Sequence, residues 1–157
     1  MPTKEDLQAR VEALEAELQT QQEMIEAQRN ALREISTPII PIMDNILVLP
    51  LVGSIDSERS RDIMRSLLGG ITKHRAKVII LDITGVQIID TGVADHLNKT
   101  IQAARLKGAH TIITGVSDAV AETVIDLGID WNEIQTLRDL QGGLLAAVKR
   151  LGMRLED

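Results

Sequence analysis

The chain has 157 residues, with 17 basic and 23 acidic side chains, one tryptophan, and no cysteine, phenylalanine or tyrosine. At about 100–200 residues per domain, this length allows one ordinary domain and an appendage; the missing cysteines exclude disulfide frameworks, Cys-ligated zinc, thiolate nucleophiles and redox relays. A net charge of −6 lacks the basic footprint of a general nucleic-acid binder, and Trp131 alone supplies no base-stacking platform.

Met1 to Asp6 leads into an acidic, Gln-rich segment with no apolar leader core, and no stretch approaches the ~18 consecutive apolar residues of a membrane span. A cytoplasmic protein with neither membrane nor nucleic-acid partner is expected. Composition changes near residue 36. Before it there is no glycine and Pro2 is the only proline; residues 1–36 carry net charge −4 and the remainder −2. Val11, Leu18, Ile25 and Leu32 recur every seven residues, with Leu7, Leu14 and Ile35 on the alternating 3–4 positions. A sustained 3.5-residue period imposes a left-handed supercoil, and Val/Ile at a with Leu at d favours two parallel strands. Arg10 at g can reach Glu15 at e of a partner helix, while Gln21 and Gln28 at d weaken the seam and set its register. Residues 1–36 are therefore expected to be a helical, parallel coiled-coil dimerisation arm, ended by Pro38 because the residue before a proline leaves the α region. The plainer alternative is a lone amphipathic helix.

Residues 37–157 alternate strands and helices. Apolar runs at 39–43 and 46–51 flank Asp44-Asn45, a two-residue hairpin signal. Pro41 and Pro50 lack ladder donors and are expected on an edge position or at a strand end. Helical periodicity follows over 57–74, then a buried-strand pattern over 77–83. The order continues with a helix at 91–107, a strand at 110–114, a helix at 117–127, a weak strand at 133–137 and a helix at 139–151. Gly69-Gly70 and Gly142-Gly143 fall inside helical patterns, where bends or close packing are expected. Such alternation predicts an α/β domain: a mixed, mostly parallel sheet opened by a β-hairpin, with packed helices joined by right-handed crossovers.

Catalytic and metal signals are poor. His74, His96 and His110 form no helical ligand pair, and no phosphate loop or dinucleotide fingerprint is present. Gly-x-Ser-x-Gly is absent. No cofactor is expected. Asp82, at the end of a strong strand pattern, lacks the acidic pair and lysine of a phospho-receiver, and reads as a loop or helix-capping carboxylate. Two hydroxyls carry more information. Ile55-Asp56-Ser57-Glu58-Arg59 and Ile89-Asp90-Thr91-Gly92-Val93 share one pattern of apolar residue, Asp, hydroxyl and helix start. Each places Ser57 or Thr91 where unpaired N–H groups and the helix dipole favour an anion. Plain N-capping is the competing explanation.

Four segments then become recognisable in order: Ser36-Thr37-Pro38-Ile39-Ile40-Pro41, Leu49 through Arg59, Ile80 through Val86, and Ile89-Asp90-Thr91. They resemble the STAS domain of RsbR-type stressosome proteins, within the anti-sigma-factor antagonist superfamily, over essentially residues 36–151. The resemblance implies a non-enzymatic scaffold that joins an RsbS-like STAS partner and sequesters an RsbT-like serine/threonine kinase. It also implies phosphorylation at Ser57 and Thr91, with Asp56, Asp90 and Gly92 around them, and reversal by an RsbX-like phosphatase. Ser57 stands where the family usually has threonine. A homodimer within a large oligomer, controlling a general stress sigma factor or related pathway, is the implied assembly. Residues 1–35 are too short for the folded sensor that such proteins usually carry. A single-STAS anti-sigma-factor antagonist and a small-ligand sensory module are the alternatives.

Overall fold

The computed structural model describes residues 1–152 apart from 37, 88, 129, 132 and 133, and for 32–36 the backbone alone. Its chain divides into two compact units, residues 1–35 and 36–157. The first is a single helix, α1 (Lys4–Ser36). It starts on a reciprocal cap: the Thr3 backbone N–H donates to Asp6 Oδ2 at 3.0 Å, and the Asp6 N–H donates to Thr3 Oγ1 at 3.1 Å. That exchange satisfies two of the N–H groups every helix start leaves unpaired. It also holds the Asp6 carboxyl below its usual value, through the Thr3 backbone first and its hydroxyl second. Leu7, Val11, Leu14, Leu18 and Ile25 are each between 47% and 56% exposed. The side chains of Leu32 and Ile35 lie outside the described residues.

In the second unit, Asn45 adopts φ 72° and closes the turn between β1 (Ile40–Met43) and β2 (Ile46–Val52). Asn tolerates this left-handed conformation, which a two-residue hairpin turn demands. The chain then runs α2 (Ser57–His74), β3 (Val78–Gly85), α3 (Thr91–Leu106), β4 (His110–Thr114), α4 (Asp118–Asp126), β5 (Gln135–Leu137) and α5 (Leu140–Arg150). Strand order across the sheet is β1-β2-β3-β4-β5; β1 pairs antiparallel with β2, and every later pair is parallel.

Because consecutive parallel strands add in one direction, crossovers of one hand bring their helices to one face. On that face Leu47, Leu49, Leu51, Ile79 and Leu81 pack with residues of α2, α3 and α4, among them Leu67, Leu97 and Val120. The opposite face buries Ile46, Val48, Val78, Ile80 and Ile112 against Ala147 and Val148 of α5. Strands buried on both faces read as the continuous apolar runs seen in this sequence.

The glycine pairs resolve as close packing. A Cβ on Gly70 would lie 2.9 Å from Ile39 Cδ1, and one on Gly143 would lie 2.6 Å from Thr114 Cγ2. One member of each pair is thus what lets its helix sit against its neighbour. Pro41 lies on the edge strand, as a residue without a ladder donor should. Pro50 also takes an edge position, although it sits inside β2, opposite Asp82 of β3. The first residue of β1 is Ile40, paired with Val48, so at Pro50 the β2 strand has only β3 beside it. A register irregularity follows at once, between Pro50 and Val52. Strand β3 also runs to Gly85, beyond the expected 83, since the Gly53 N–H donates to the Gly85 carbonyl at 3.1 Å. The weak last strand spans Gln135–Leu137; Glu133 lies outside the described residues.

Candidate functional site

The C-terminal ends of the parallel strands open into loops that start α2, α3 and α4. Buried Ile55 and Ile89 anchor the first two loops in the core. In each, the next residue is the cap. Asp56 has extended backbone and its Oδ1 accepts from the Arg59 N–H at 2.7 Å; Asp90 does the same for the Val93 N–H at 2.8 Å. The aspartates therefore carry out the capping that sequence alone left open between Asp and hydroxyl. Ser57 and Thr91 become the first helical residues of α2 and α3. Both are exposed, and neither hydroxyl makes a hydrogen bond among the described residues. The exposed Gly92 follows Thr91, leaving its approach unscreened by a side chain.

The other two helix starts differ. At α4 Ser117 is itself the cap, accepting from the Val120 N–H at 3.2 Å; at α5 Asp139 caps, but Leu140 follows it. An Asp cap followed by an unused hydroxyl occurs at α2 and α3, two helices that pack on the same face of the sheet. The α2 start is further braced by Arg59, whose Nη1 donates to the carbonyls of Val52 at 2.5 Å and Ser54 at 2.9 Å. Partial burial pulls the Arg59 guanidinium below its ordinary value, with Asp56 opposing. It nevertheless stays charged across any physiological pH.

Asp82 corrects the sequence reading. It is neither a loop nor a helix-capping residue but lies within β3, only 9% exposed. Its Oδ2 accepts from Thr114 Oγ1 at 2.7 Å and its Oδ1 from the Thr84 N–H at 3.2 Å. The partner hydroxyl is 32 residues away, so no local signal announced it. A buried carboxylate stripped of such a bond costs about 1.5–3 kcal/mol. Thr114→Val, which keeps the shape and removes the hydroxyl, is accordingly expected to lower the thermal midpoint by several degrees. An unchanged melt would show the Asp82–Thr114 bond to be energetically idle.

The histidines do not converge, and no group of three or more His, Asp or Glu suited to a metal ion occurs among the described residues. No helix among them is long and apolar enough to cross a membrane. A cleft of about 460 Å³ opens beside α4 and β5, lined by Val116, Val124, Trp131, Leu137 and Arg138 among others.

Residues 37–140 match the family model of the STAS domain. The chain belongs to the STAS-domain family. Within it the sequence is of the RsbR type. It is 44% identical over 125 residues to the RsbT co-antagonist protein RsbRA of Bacillus subtilis, covering 80% of this chain and 46% of that protein. To the co-antagonist RsbRD of the same organism it is 41% identical, covering 76% of this chain and 43% of the relative. The chain thus spans less than half the length of these curated relatives. Among solved structures, an RsbS variant from Moorella thermoacetica superposes with TM-score 0.65 at 27% identity, over 74% of this chain and 98% of that one. A chain from the molecular architecture of the stressosome gives TM-score 0.64, also at 27% identity, over 74% of this chain and all of the other. The α/β architecture expected from the sequence, with its hairpin-opened sheet, is the STAS fold.

Proposed function

We propose that this STAS chain is a non-enzymatic scaffold and regulatory subunit of a stressosome-type assembly. It docks RsbS-like STAS partners and holds an RsbT-like serine/threonine kinase until its own domain is phosphorylated. One observation carries the reading: Ser57 and Thr91 present exposed hydroxyls, unbonded among the described residues, at two helix starts whose caps are already supplied by Asp56 and Asp90. A phosphoryl group at either position adds about −1.5 to −2 charges without taking a backbone bond from the helix. Released kinase then acts downstream, and an RsbX-like phosphatase restores the docking surface. Residues 1–36 pair two copies as a parallel coil, and the domain of residues 37–157 supplies the assembly contacts. The likeness to RsbT co-antagonists supports the partner assignment.

The test is reconstitution of the chain with cognate RsbS and RsbT homologues, read by particle size and by phosphosite mass spectrometry. A large co-assembly that retains the kinase, and loses it once Ser57 and Thr91 are modified, is the expected result. Failure to co-assemble, or kinase retention that ignores phosphorylation, overturns the reading. A small-ligand sensory module is the second reading. It is favoured by the cleft that the chain's one tryptophan lines, and it requires stabilisation by a small molecule with no phosphotransfer.

A further inference from the structure

The N-terminal edge of the parallel strands carries a second feature, unrelated to the hydroxyl pair. A hollow of about 300 Å³ is lined by Lys77, Arg105, Gly108, Ala109, His110 and Arg150. These cationic and imidazole side chains come from four places in the chain and converge, in a molecule whose net charge is −6. Strand β4, five residues long, separates this hollow from the hydroxyl edge by about 17 Å at ~3.3 Å per residue.

Helix dipoles account for part of the cluster. Arg105 and Arg150 lie in the last turns of α3 and α5, where a cation offsets the partial negative charge of the helix end. Lys77 and His110 sit at strand starts and have no such role. Their backbones are pinned side by side. The Lys77 N–H donates to the Asn45 carbonyl, and the Lys77 carbonyl accepts from the His110 N–H, both at 2.8 Å. The His110 ring is held by Gln135, with Nε2 to Oε1 at 3.1 Å. Among the described residues no carboxylate pairs with Lys77 or Arg150. Two cations without a partner among the described residues therefore line one hollow, together with Arg105, which has an interaction of its own. The Gly108 and Ala109 N–H groups already bond the Arg105 and Ala104 carbonyls, so recognition here falls to side chains.

We propose that this hollow is a binding site for a small dianionic phosphate group, held by Lys77 and Arg150 with Arg105 and His110 completing the ring. The volume lies at the small end of the ~300–1,000 Å³ of ligand pockets, with room for a phosphate group and part of a molecule that carries it. Arginine and lysine together match the forked and point-charge contacts that phosphate oxygens accept. The phosphate can be free or a monoester, and the site stands whether or not Ser57 and Thr91 are phosphorylated.

The test titrates the full-length chain with inorganic phosphate and, separately, with O-phosphothreonine, following amide NMR shifts at constant ionic strength. Saturable shifts centred on Lys77, Gly108 and His110 are expected, with Kd on the order of 1 mM, and Lys77→Gln with Arg150→Gln should weaken binding at least tenfold. Tighter binding of O-phosphothreonine identifies a monoester as the occupant; equal or tighter binding of inorganic phosphate identifies the free ion. If neither probe shifts these amides, or the double variant binds as the parent does, the site is refuted. Amide shifts elsewhere in the double variant should match the parent, which separates lost binding from lost folding.

Discussion

Thr91→Ala is expected to abolish most phosphate incorporation by an RsbT-like kinase, measured as intact mass after incubation with kinase and ATP. The substitution is chemically clean. Asp90, not Thr91, caps α3, the Thr91 hydroxyl bonds nothing among the described residues, and alanine is the better helix former. Folding should therefore be unchanged, and Thr91→Ser should restore modification. Ser57→Ala should remove the remaining phosphate, and the double variant should take up none. Unchanged incorporation in Thr91→Ala would sink the assignment.

Phosphorylation at these positions should alter docking more than stability. A dianion about 6 Å from the cap carboxylate meets roughly 1.4 kcal/mol of repulsion at the dielectric of water. The helix N-terminus returns about 0.3–1 kcal/mol. The remainder is about 0.4–1.1 kcal/mol of destabilisation, and salt weakens both terms. A melt of the phosphorylated chain is expected within about 1 kcal/mol of the unmodified one, while the binding surface has gained close to two negative charges per site.

The second large effect concerns the arm. Val11→Asp with Leu18→Asp should convert a parallel dimer into monomers across the micromolar range, by light scattering, with loss of helical signal at 222 nm. Each of these side chains is about half exposed in α1, leaving apolar surface that pairing would bury. Losing four such residues per dimer, at about 1.5 kcal/mol each, removes about 6 kcal/mol, or roughly 10⁴-fold in affinity. Most helical stability in proteins comes from packing an apolar face rather than from propensity, hence the coupled loss of helicity. Strand direction has an independent readout, because the chain has no cysteine. Leu7→Cys, near one end of α1, should form an interchain disulfide readily in a parallel pair and not in an antiparallel one. Equal masses for the parent and the Asp variant would show that the seam pairs nothing.

Much of this molecule is legible in local pattern. The Asp44-Asn45 turn, the helix over 57–74 and the strand over 110–114 fall where the sequence puts them, since turns, caps and apolar periodicity act over a few residues. The hydroxyl pair was also visible, because Asp-Ser and Asp-Thr before a helical pattern is a local signature. What that pattern left open was which residue caps. The aspartate side chains took the backbone N–H groups, leaving both hydroxyls to solvent. Asp82 was misread because its environment is not local; a strand-end carboxylate looks the same whether solvated or buried until the neighbouring strand is in place.

Length, charge and missing cysteines excluded disulfide, thiol and general nucleic-acid chemistry, while the order of apolar patterns predicted the α/β elements and a heptad repeat in residues 1–36. Only the tertiary structure decided what meets across the sheet. Parallel register places Asp82 opposite Thr114 and Lys77 beside His110. It also brings the ends of α3 and α5 around a single basic hollow. Those neighbours are tens of residues apart in sequence. Their proximity is set by strand pairing and by helices packing where glycine permits, which are properties of the assembled core rather than of any segment within it.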